Sequence, residues 1–383
     1  MAKNEKKQKN MKLRICIWLL ICVVCAISFI WQQPLSTALN NLINPPISSD
    51  VQSCELKVHY ISVGQGDSIL LELPDDKIML IDAGPGSGED TLIKYLNSVF
   101  VTRPDRVIDY FLVTHQDEDH IGGADKVFDN FEVEKFYRPK VYTPEEAADL
   151  GVKDKDNICD TKVFETMIEK MAKENCKNVV EVEGGKQMPY LADNCGYNIK
   201  FLSPIDESYA DPNDYSPIMI LTYEQRKFMF TGDAEEFVED QVVARYSKSD
   251  LDIDVLKVGH HGSNTSSSEE FLDAVDPQYA VICVGKDNKY NHPTESTISK
   301  LTAKVGENNI YRTDNDGNVI IGIDKDETTM GKASIKIATN GEVRLVVKIE
   351  WWYVVVIVVG VSFVVLILPA KSQKKLAKKL KNK

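Results

Sequence analysis

Short apolar runs followed by glycine-containing turns recur through the middle of the chain. Alternating apolar and polar positions over residues 56–73 predict strands. Helical spacing of apolar residues over 90–100 and 235–246 predicts amphipathic helices. Strands and helices alternate in two halves of this region. The pattern therefore predicts an α/β fold, an αββα sandwich in which two sheets pack face to face with helices outside.

Two apolar segments, residues 15–30 and 351–368, flank this region, and neither contains a charge. About 18 apolar residues suffice to cross a bilayer core of about 30 Å. We expect both segments to be transmembrane helices, although the first also fits a cleaved signal peptide. Basic residues lie on the terminal side of each segment. By the positive-inside rule, both ends then lie in the cytoplasm and the region between them lies outside it, at the cell membrane.

These patterns divide the chain into five predicted parts. They are a basic N-terminus with an anchor or signal peptide (1–33), a linker (34–53), a folded domain (54–348), a transmembrane helix (349–370) and a basic cytoplasmic tail (371–383).

The formal net charge of −13 hides a strong asymmetry. Residues 1–14 carry +5 and residues 370–383 carry +7, so the part between them holds −25. An ectodomain this acidic repels polyanions, most of all at low salt. The charge therefore argues against a nucleic-acid substrate, because proteins that bind nucleic acids normally contact the phosphates with lysine and arginine.

The densest group of chemically active residues follows the apolar run at residues 110–113. Four side chains at H-x-D-x-D-H spacing lie there in one predicted loop: His115, Asp117, Asp119 and His120. Nitrogen and oxygen donors without thiolates suit Zn²⁺ or Mn²⁺. The eight cysteines show no C-x-x-C spacing, which argues against a thiolate zinc site. The loop therefore predicts a metal site.

Three later turns offer ligands in the same way. Asp233 ends the block T-G-D, His260 and His261 lie in G-H-H-G-S, and His292 follows a predicted strand at residues 280–284. Five of the six histidines lie in such turns, and we expect the remaining one, His59, to be structural. Several motifs in one domain that each place a histidine or an aspartate at the end of a strand indicate a shared site.

The order of these motifs resembles the metallo-β-lactamase superfamily, and more closely the hydrolase domain of ComEC competence proteins. V-G-Q-G-D-S at 63–68 and L-I-D-A-G at 80–84 match the opening strands of that family. The resemblance runs from about residue 56 to 323 and implies that the predicted domain, 54–348, is a metallo-β-lactamase-like hydrolase. Ser62 stands where the family usually has aspartate, and no histidine lies between Gly123 and Asp233, where the superfamily generally places a third ligand.

The resemblance implies two divalent metal ions, Zn or Mn, and no nucleotide cofactor. The implied metal ligands are His115, Asp117, Asp119, His120, Asp233, His260 and His261. Asp233 is the expected bridging ligand. One histidine of the 260–261 pair is expected to bind metal and the other to face substrate, and the sequence does not decide between them. Asp119, His261 and His292 are the predicted catalytic residues, with His292 as a proton donor, a phosphate ligand or a structural residue.

Three functions fit these observations. The first is a membrane-anchored phosphodiesterase, a ComEC-like nuclease for DNA outside the cytoplasm that works with DNA-uptake proteins in competence. The second keeps the chemistry but acts on a cell-envelope phosphodiester, such as a choline-phosphate or teichoic-acid ester, alongside envelope proteins. The third is a non-catalytic, anchored binding module. The motifs favour the first function and the acidic charge favours the second. The presence of His115, Asp119 and Asp233 disfavours the third.

Overall fold

A computed structural model describes residues 49–324, apart from 104, 175, 177 and 192–194, and residues 333–340. These residues belong to one compact unit, residues 46–344. None of the helices in the described ranges is long and apolar enough to cross a membrane. The two predicted transmembrane segments, within 1–33 and 349–370, lie outside the described residues.

The strands form two sheets. In chain order they are β1 Leu56–Tyr60, β2 Ile69–Glu72, β3 Ile78–Ile81, β4 Val107–Leu112, β5 Glu132–Arg138, β6 Asn178–Glu181, β7 Tyr197–Phe201, β8 Met219–Tyr223, β9 Arg226–Phe230, β10 Val255–Lys257, β11 Tyr279–Ile282, β12 Ile310–Arg312, β13 Asn318–Asp324 and β14 Ser334–Asn340. Within the described residues, the first sheet has the order β14-β13-β1-β2-β3-β4-β5-β6. The second has the order β12-β11-β10-β9-β8-β7.

Helices lie between the strands along the chain. They are α1 Ser49–Gln52, α2 Glu89–Val99, α3 Glu118–Ile121, α4 Ala124–Asn130, α5 Pro144–Leu150, α6 Lys162–Lys173, α7 Glu236–Arg245, α8 Lys248–Leu251, α9 Glu269–Val275, α10 Glu295–Val305 and α11 Thr313–Asp316. The helices predicted over 90–100 and 235–246 are thus observed, with ends shifted by one residue.

Two apolar clusters confirm the predicted sandwich. One lies between the sheets, where the rings of Tyr60 and Phe230 stack with centroids 6.4 Å apart. The other packs the outer sheet faces against helices, for example through Leu92 of α2 and Phe271 of α9. The sheets therefore form the central layers and the helices cover them.

The folded unit begins slightly before the predicted boundary at Cys54. Helix α1 lies in the predicted linker, and Val51 is buried. A Cβ placed on Gly322 of β13 would lie 2.6 Å from Cys54 Sγ and 3.2 Å from a methyl of Val51. This close packing includes α1 in the domain.

Candidate metal centre

The predicted ligands follow the carboxyl ends of strands, most of them in loops and Asp119 and His120 in the short helix α3. Residues 113–117 follow β4, 231–235 follow β9, 258–262 follow β10, and 283–293 follow β11. Each of these strands has a parallel neighbour in its sheet. Loops at the carboxyl ends of parallel strands gather at one edge, where α/β proteins usually bind ligands.

Two glycines allow these loops to approach one another. A Cβ on Gly66, where φ is +146°, would lie 2.1 Å from the carbonyl oxygen of Asp119. A Cβ on Gly262, where φ is +83°, would lie 2.5 Å from the Cβ of Pro293. Any larger residue at either position would push the loops apart.

Four predicted ligands present their nitrogen or oxygen atoms at nearly equal distances. Asp233 Oδ2 lies 3.2 Å from His120 Nε2 and 3.3 Å from His261 Nε2. The two imidazole nitrogens are 3.3 Å apart, and Asp119 Oδ2 lies 3.4 Å from His261 Nε2. Ligands about 2.0–2.1 Å from a tetrahedral ion are about 3.3–3.4 Å from one another. Asp233, His120 and His261 therefore have the spacing that such an ion requires. Asp119 lies at a similar distance from His261. These four residues are called the closed side below.

The outer nitrogens of the closed-side imidazoles are held by other groups. Asp82 Oδ2 lies 2.7 Å from His120 Nδ1, and the same carboxylate accepts hydrogen bonds from the backbone and hydroxyl of Thr114. His261 Nδ1 donates to the carbonyl oxygen of Cys283 at 2.9 Å. Metal-binding histidines commonly donate their second N–H to a carboxylate or carbonyl, which fixes the ring. Nε2 is therefore the nitrogen that each ring offers to the centre.

A buried ion pair lies behind the closed side. The Lys257 ammonium contacts the Asp67 carboxylate, lies 3.7 Å from Asp233 Oδ1 and donates to the carbonyl oxygen of Gly232 at 2.7 Å. Burial disfavours the charged form of Lys257, but Asp67 and Asp233 outweigh it and raise its pKa. The ammonium thus contributes a fixed positive charge beside the centre.

Asp67 also lies close enough to be considered a ligand. One of its oxygens lies within 4.8 Å of ligand atoms of His120, Asp233 and His261. It lies 3.2 Å from Nδ1 of His261, however, which is the outer nitrogen of that ring. Because Asp67 already pairs with Lys257, we assign it to the support of His261.

The two imidazoles and the Asp233 carboxylate of the closed side shift one another's pKa values. Burial disfavours the charged forms of His120 and His261, but Asp233 outweighs it and, with neighbouring carboxylates, holds both pKa values well above the usual range. Burial likewise opposes ionisation of Asp233, but the two imidazoles outweigh it and hold the pKa of Asp233 well below its usual range. Carboxylate oxygens and imidazole nitrogens are ligands for divalent cations, so the same three groups could bind such a cation.

His115 is fully buried and offers an unused nitrogen. Burial, followed by the neighbouring His120, lowers its pKa to about 3, so the ring is neutral at pH 7. Its Nδ1 lies 3.1 Å from Thr114 Oγ1 and 3.3 Å from Ser216 Oγ. Its Nε2 has no hydrogen-bond partner among the described residues, and Asp117 Oδ2 lies 3.9 Å from it. A buried neutral imidazole with a free Nε2 fits a metal ligand.

His260 lies on the more exposed flank of Asp233. Its Nε2 is 3.8 Å from Asp233 Oδ2, and its Nδ1 is 3.1 Å from Glu235 Oε1. Together, the remaining predicted ligands, His115, Asp117 and His260, are called the open side below. The structure thus brings the other six predicted ligands to the surroundings of Asp233, and the role of all seven in binding metal stays a prediction.

His292 lies at the rim of this centre. Its ring is 5.5 Å from that of His260 and stacks on Tyr290, with centroids 5.6 Å apart. Asn288 fixes the loop, because its side-chain amide donates to the carbonyl oxygens of Gly285 and His292. His292 Nδ1 has no hydrogen-bond partner within the described part of the chain. The catalytic role predicted for His292 is therefore compatible with its position and stays a prediction.

Residues 61–159 and 197–286 match the metallo-beta-lactamase superfamily. The chain carries a metallo-beta-lactamase superfamily domain. The resemblance found in the sequence is therefore confirmed, and members of this superfamily are generally metal-dependent hydrolases. The unmatched stretch between the two segments contains α6 and β6.

Curated relatives include competence proteins. ComE operon protein 3 of Bacillus subtilis (strain 168) is 29% identical over 284 residues, which cover 70% of this chain and 33% of that protein. Competence protein ComA of Neisseria gonorrhoeae is 28% identical over 250 residues, 65% of this chain and 30% of that protein. The match thus spans about a third of each relative. Among solved structures, CmlA, a diiron beta-hydroxylase from Streptomyces venezuelae, is distantly similar, with a TM-score of 0.43 and 12% identity over 70% of this chain and 54% of that one.

Sequence reasoning did not assign a role to several residues of the centre. Asp67 and Asp82 lie in the motifs that carried the resemblance, so a signal for them was present. No sequence pattern indicated a role for Lys257, because this residue lies in an apolar run that predicts a strand. His59 is buried and contacts Tyr95 and Glu72, which is compatible with the structural role expected for it.

Proposed function

We propose that this protein is a membrane-anchored, metal-dependent phosphodiesterase that acts as a nuclease on DNA outside the cytoplasm. The main support is the near-equal spacing, 3.2–3.3 Å, of the ligand atoms of Asp233, His120 and His261. Divalent cations at this centre, Zn or Mn, would activate a water near neutral pH and neutralise charge on phosphoryl oxygens.

The chain's own residues would prepare that chemistry. Asp82 and the Cys283 carbonyl orient the closed-side imidazoles, and the buried position of Asp233 excludes competing water. His292 is placed at the rim, where a leaving oxygen would accept its proton or its hydrogen bond. This assignment of His292 is part of the proposal.

DNA is favoured as the substrate by the rim and by the names of the relatives. Lys286, Lys289 and Tyr290 are exposed on the loop that carries His292, and the Lys289 ammonium lies 4.8 Å from the Tyr290 ring centroid. Lysines and aromatic rings are the groups that contact phosphates and bases of single strands. Two relatives are named for competence or its operon, which supports a substrate taken up in that process.

A cell-envelope phosphodiester is the second candidate. The charge of −25 between the two basic termini favours it in the form of a choline-phosphate ester, because an acidic domain repels a polyanion such as DNA but not a group that also carries a positive charge. In both versions, the predicted apolar segments would hold the domain at the outer face of the membrane, with DNA-uptake or envelope proteins as partners.

The first experiment compares three substrates with the full chain purified in detergent. Single-stranded DNA, duplex DNA and a small aryl phosphodiester are incubated with Mn²⁺ or Zn²⁺, with Asp233→Asn as the control. DNA cleavage that requires metal and is absent from the control is the expected result. Turnover of the small ester alone would redirect the proposal to envelope substrates, and turnover of none by the metal-loaded protein would support a binding module.

A further inference from the structure

A second cavity, called the β5–β6 cavity below, lies at the carboxyl ends of β5 and β6. Its walls come from the segments that follow β5, β6 and β7, from the residue Tyr215 and from the last residue of α7. None of the seven predicted metal ligands lines it. Residues 182–186 supply one wall and fall between the two segments that match the superfamily. This wall is therefore not part of the superfamily pattern.

Backbone contacts hold the walls of the β5–β6 cavity in place. The Gly184 N–H donates to the carbonyl oxygen of Pro204, and the Gly185 N–H to that of Phe201, each at 2.8 Å. A Cβ on Gly184 would lie 2.6 Å from the Pro204 carbonyl oxygen, so the two segments pack without a side chain between them. The cavity has a volume of about 240 Å³. Ligand pockets usually measure about 300–1,000 Å³, so this one suits a small molecule or one end of a larger molecule.

One wall contributes a buried hydroxyl whose proton has no acceptor. Tyr215 lines the cavity and is only 2% exposed. Its hydroxyl has no hydrogen-bond partner among the described residues. Burial raises the pKa of this hydroxyl. The backbone amide of Tyr209 counteracts that rise but, as a donor, cannot accept the hydroxyl proton. A buried O–H without an acceptor is costly, and an oxygen of a ligand would satisfy it.

Three basic side chains line the same cavity, and two of them have no acidic partner. Lys140 pairs with Glu207 at 2.6 Å. Lys186 and Arg245 form no ion pair with any residue that the structure describes. A Cβ on Gly185 would lie 3.2 Å from a guanidinium nitrogen of Arg245, so the glycine leaves room for this group beside the turn. Two cations thus stay unpaired in a region whose net charge is −25.

The carboxylates of the walls leave this excess of donors in place. Glu207 pairs with Lys140, and Asp206 accepts a hydrogen bond from the Gln241 amide at 2.6 Å. Glu183 is exposed and forms no ion pair within the described ranges. The groups without partners are therefore two cations and one O–H donor against a single carboxylate. Such a set favours an anion with several acceptor oxygens.

We propose that the β5–β6 cavity binds the phosphate group of a small molecule through Lys186, Arg245 and the Tyr215 hydroxyl. A phosphate monoester has three terminal oxygens that accept hydrogen bonds, one for each of these donors, whereas a carboxylate has two. Arginine can bind two phosphate oxygens at once, and lysine binds phosphate as a point charge. The site does not depend on the proposed metal centre, so either can exist without the other.

The test is a calorimetric titration of the full chain in detergent with inorganic phosphate, phenyl phosphate and succinate, a dianion without phosphorus. Metals are first removed by chelation and dialysis, because phosphate also binds divalent cations. Both phosphate probes are expected to bind about tenfold or more tightly than succinate. Tighter binding of phenyl phosphate would identify the ligand as a phosphate ester, and equal binding would show that free phosphate suffices; both results support the proposal. Asp233→Asn is expected to bind phosphate like the parent, and its failure to do so would place the binding at the metal centre instead.

Variants of the walls locate the binding. Arg245→Gln and Lys186→Gln are each expected to weaken phosphate binding about tenfold or more, because each removes a charged donor. Tyr215→Phe removes only the hydroxyl and is expected to weaken binding about threefold to tenfold. Glu183→Gln removes a nearby negative charge and is expected to strengthen binding about twofold to threefold.

The matched control is a cation beside the cavity but outside its walls. Lys200 Nζ lies 5.0 Å from the centroid of the Tyr246 ring, and Lys200→Gln is expected to bind phosphate like the parent. Circular dichroism of each variant checks that it is folded. No saturable binding of either phosphate probe, succinate binding as tight as that of phosphate, or equal losses in Lys200→Gln and Arg245→Gln would overturn the proposal.

Discussion

The closed and open sides of Asp233 differ in how far their donors are fixed before any ion binds. Closed-side distances are 3.2–3.4 Å, and His120 and His261 are fully buried. On the open side the distances are 3.8–3.9 Å, with 48% of the Asp117 side chain and 22% of that of His260 exposed. Fixed ligands lose little entropy on binding, whereas mobile ligands must be ordered by the ion. In the proposed metal centre, Asp233 would thus serve a rigid site on one side and an adaptable site on the other.

The largest effect is expected at the residue common to both sides. Asp233→Asn keeps the volume but removes the charge that both flanks use. We expect the loss of both ions and a fall in hydrolysis of about 1,000-fold or more, since several kcal/mol of charge stabilisation disappear. Metal analysis after dialysis and initial rates measure this. Retention of one ion would show that the two sides do not share Asp233.

Removal of the ammonium behind the closed side should reduce stability. Lys257→Met leaves Asp67 buried without its partner, and breaking a buried pair in this way costs about 3–5 kcal/mol. Chemical denaturation of the chelated protein measures the loss. The double variant Lys257→Met with Asp67→Asn should recover part of it, because no unpaired charge remains. An unchanged single variant would contradict the role assigned to Lys257.

Loss of the carboxylate that orients His120 should affect metal binding at the closed side alone. Asp82→Asn weakens the hydrogen bond to His120 Nδ1, and changes of this kind lower metal affinity by about tenfold to a hundredfold. Metal titration should show a weaker ion on the closed side and an unchanged affinity on the open side. Asp109→Asn is the matched control, because Asp109 is also buried but pairs with Lys77. Equal effects of Asp82→Asn and Asp109→Asn would indicate a general loss of stability.

The smallest effect is expected at the rim of the open side. Lys289→Ala should weaken DNA binding a few-fold and lower the slope of log affinity against log salt by about 0.7–0.9, the amount for one phosphate contact. Lys94→Ala, an exposed lysine on α2, is the control. Fluorescence anisotropy with labelled single strands over a range of salt concentrations measures both. An unchanged slope would show that Lys289 does not contact a DNA phosphate.

The sequence predicted the αββα sandwich and the segments whose side chains meet at one site. Apolar runs before Thr114 and Gly232 marked strand ends, because buried strands need such runs, and family motifs supplied the convergence of the loops. The sequence did not show which neighbour orients which ring. Asp82 lies 38 residues from His120, and such a contact follows from the pairing of β3 with β4 rather than from any local pattern.

The choice between His260 and His261 also depended on the structure. The resemblance implies that one of the two rings binds metal and the other faces substrate, without deciding between them. Both residues have left-handed backbone conformations, which aim both rings at Asp233. Backbone conformations of this kind are rare for histidine, and composition does not reveal them.

The closed side draws its donors from both halves of the chain. Asp119 and His120 follow β4 of the first sheet, whereas Asp233 and His261 follow strands of the second sheet. An ion held by all four would link segments more than a hundred residues apart and would act as a cross-link between the halves. A chain synthesised only as far as its first half has no such site. Metal capture would then mark the moment when the two halves have docked.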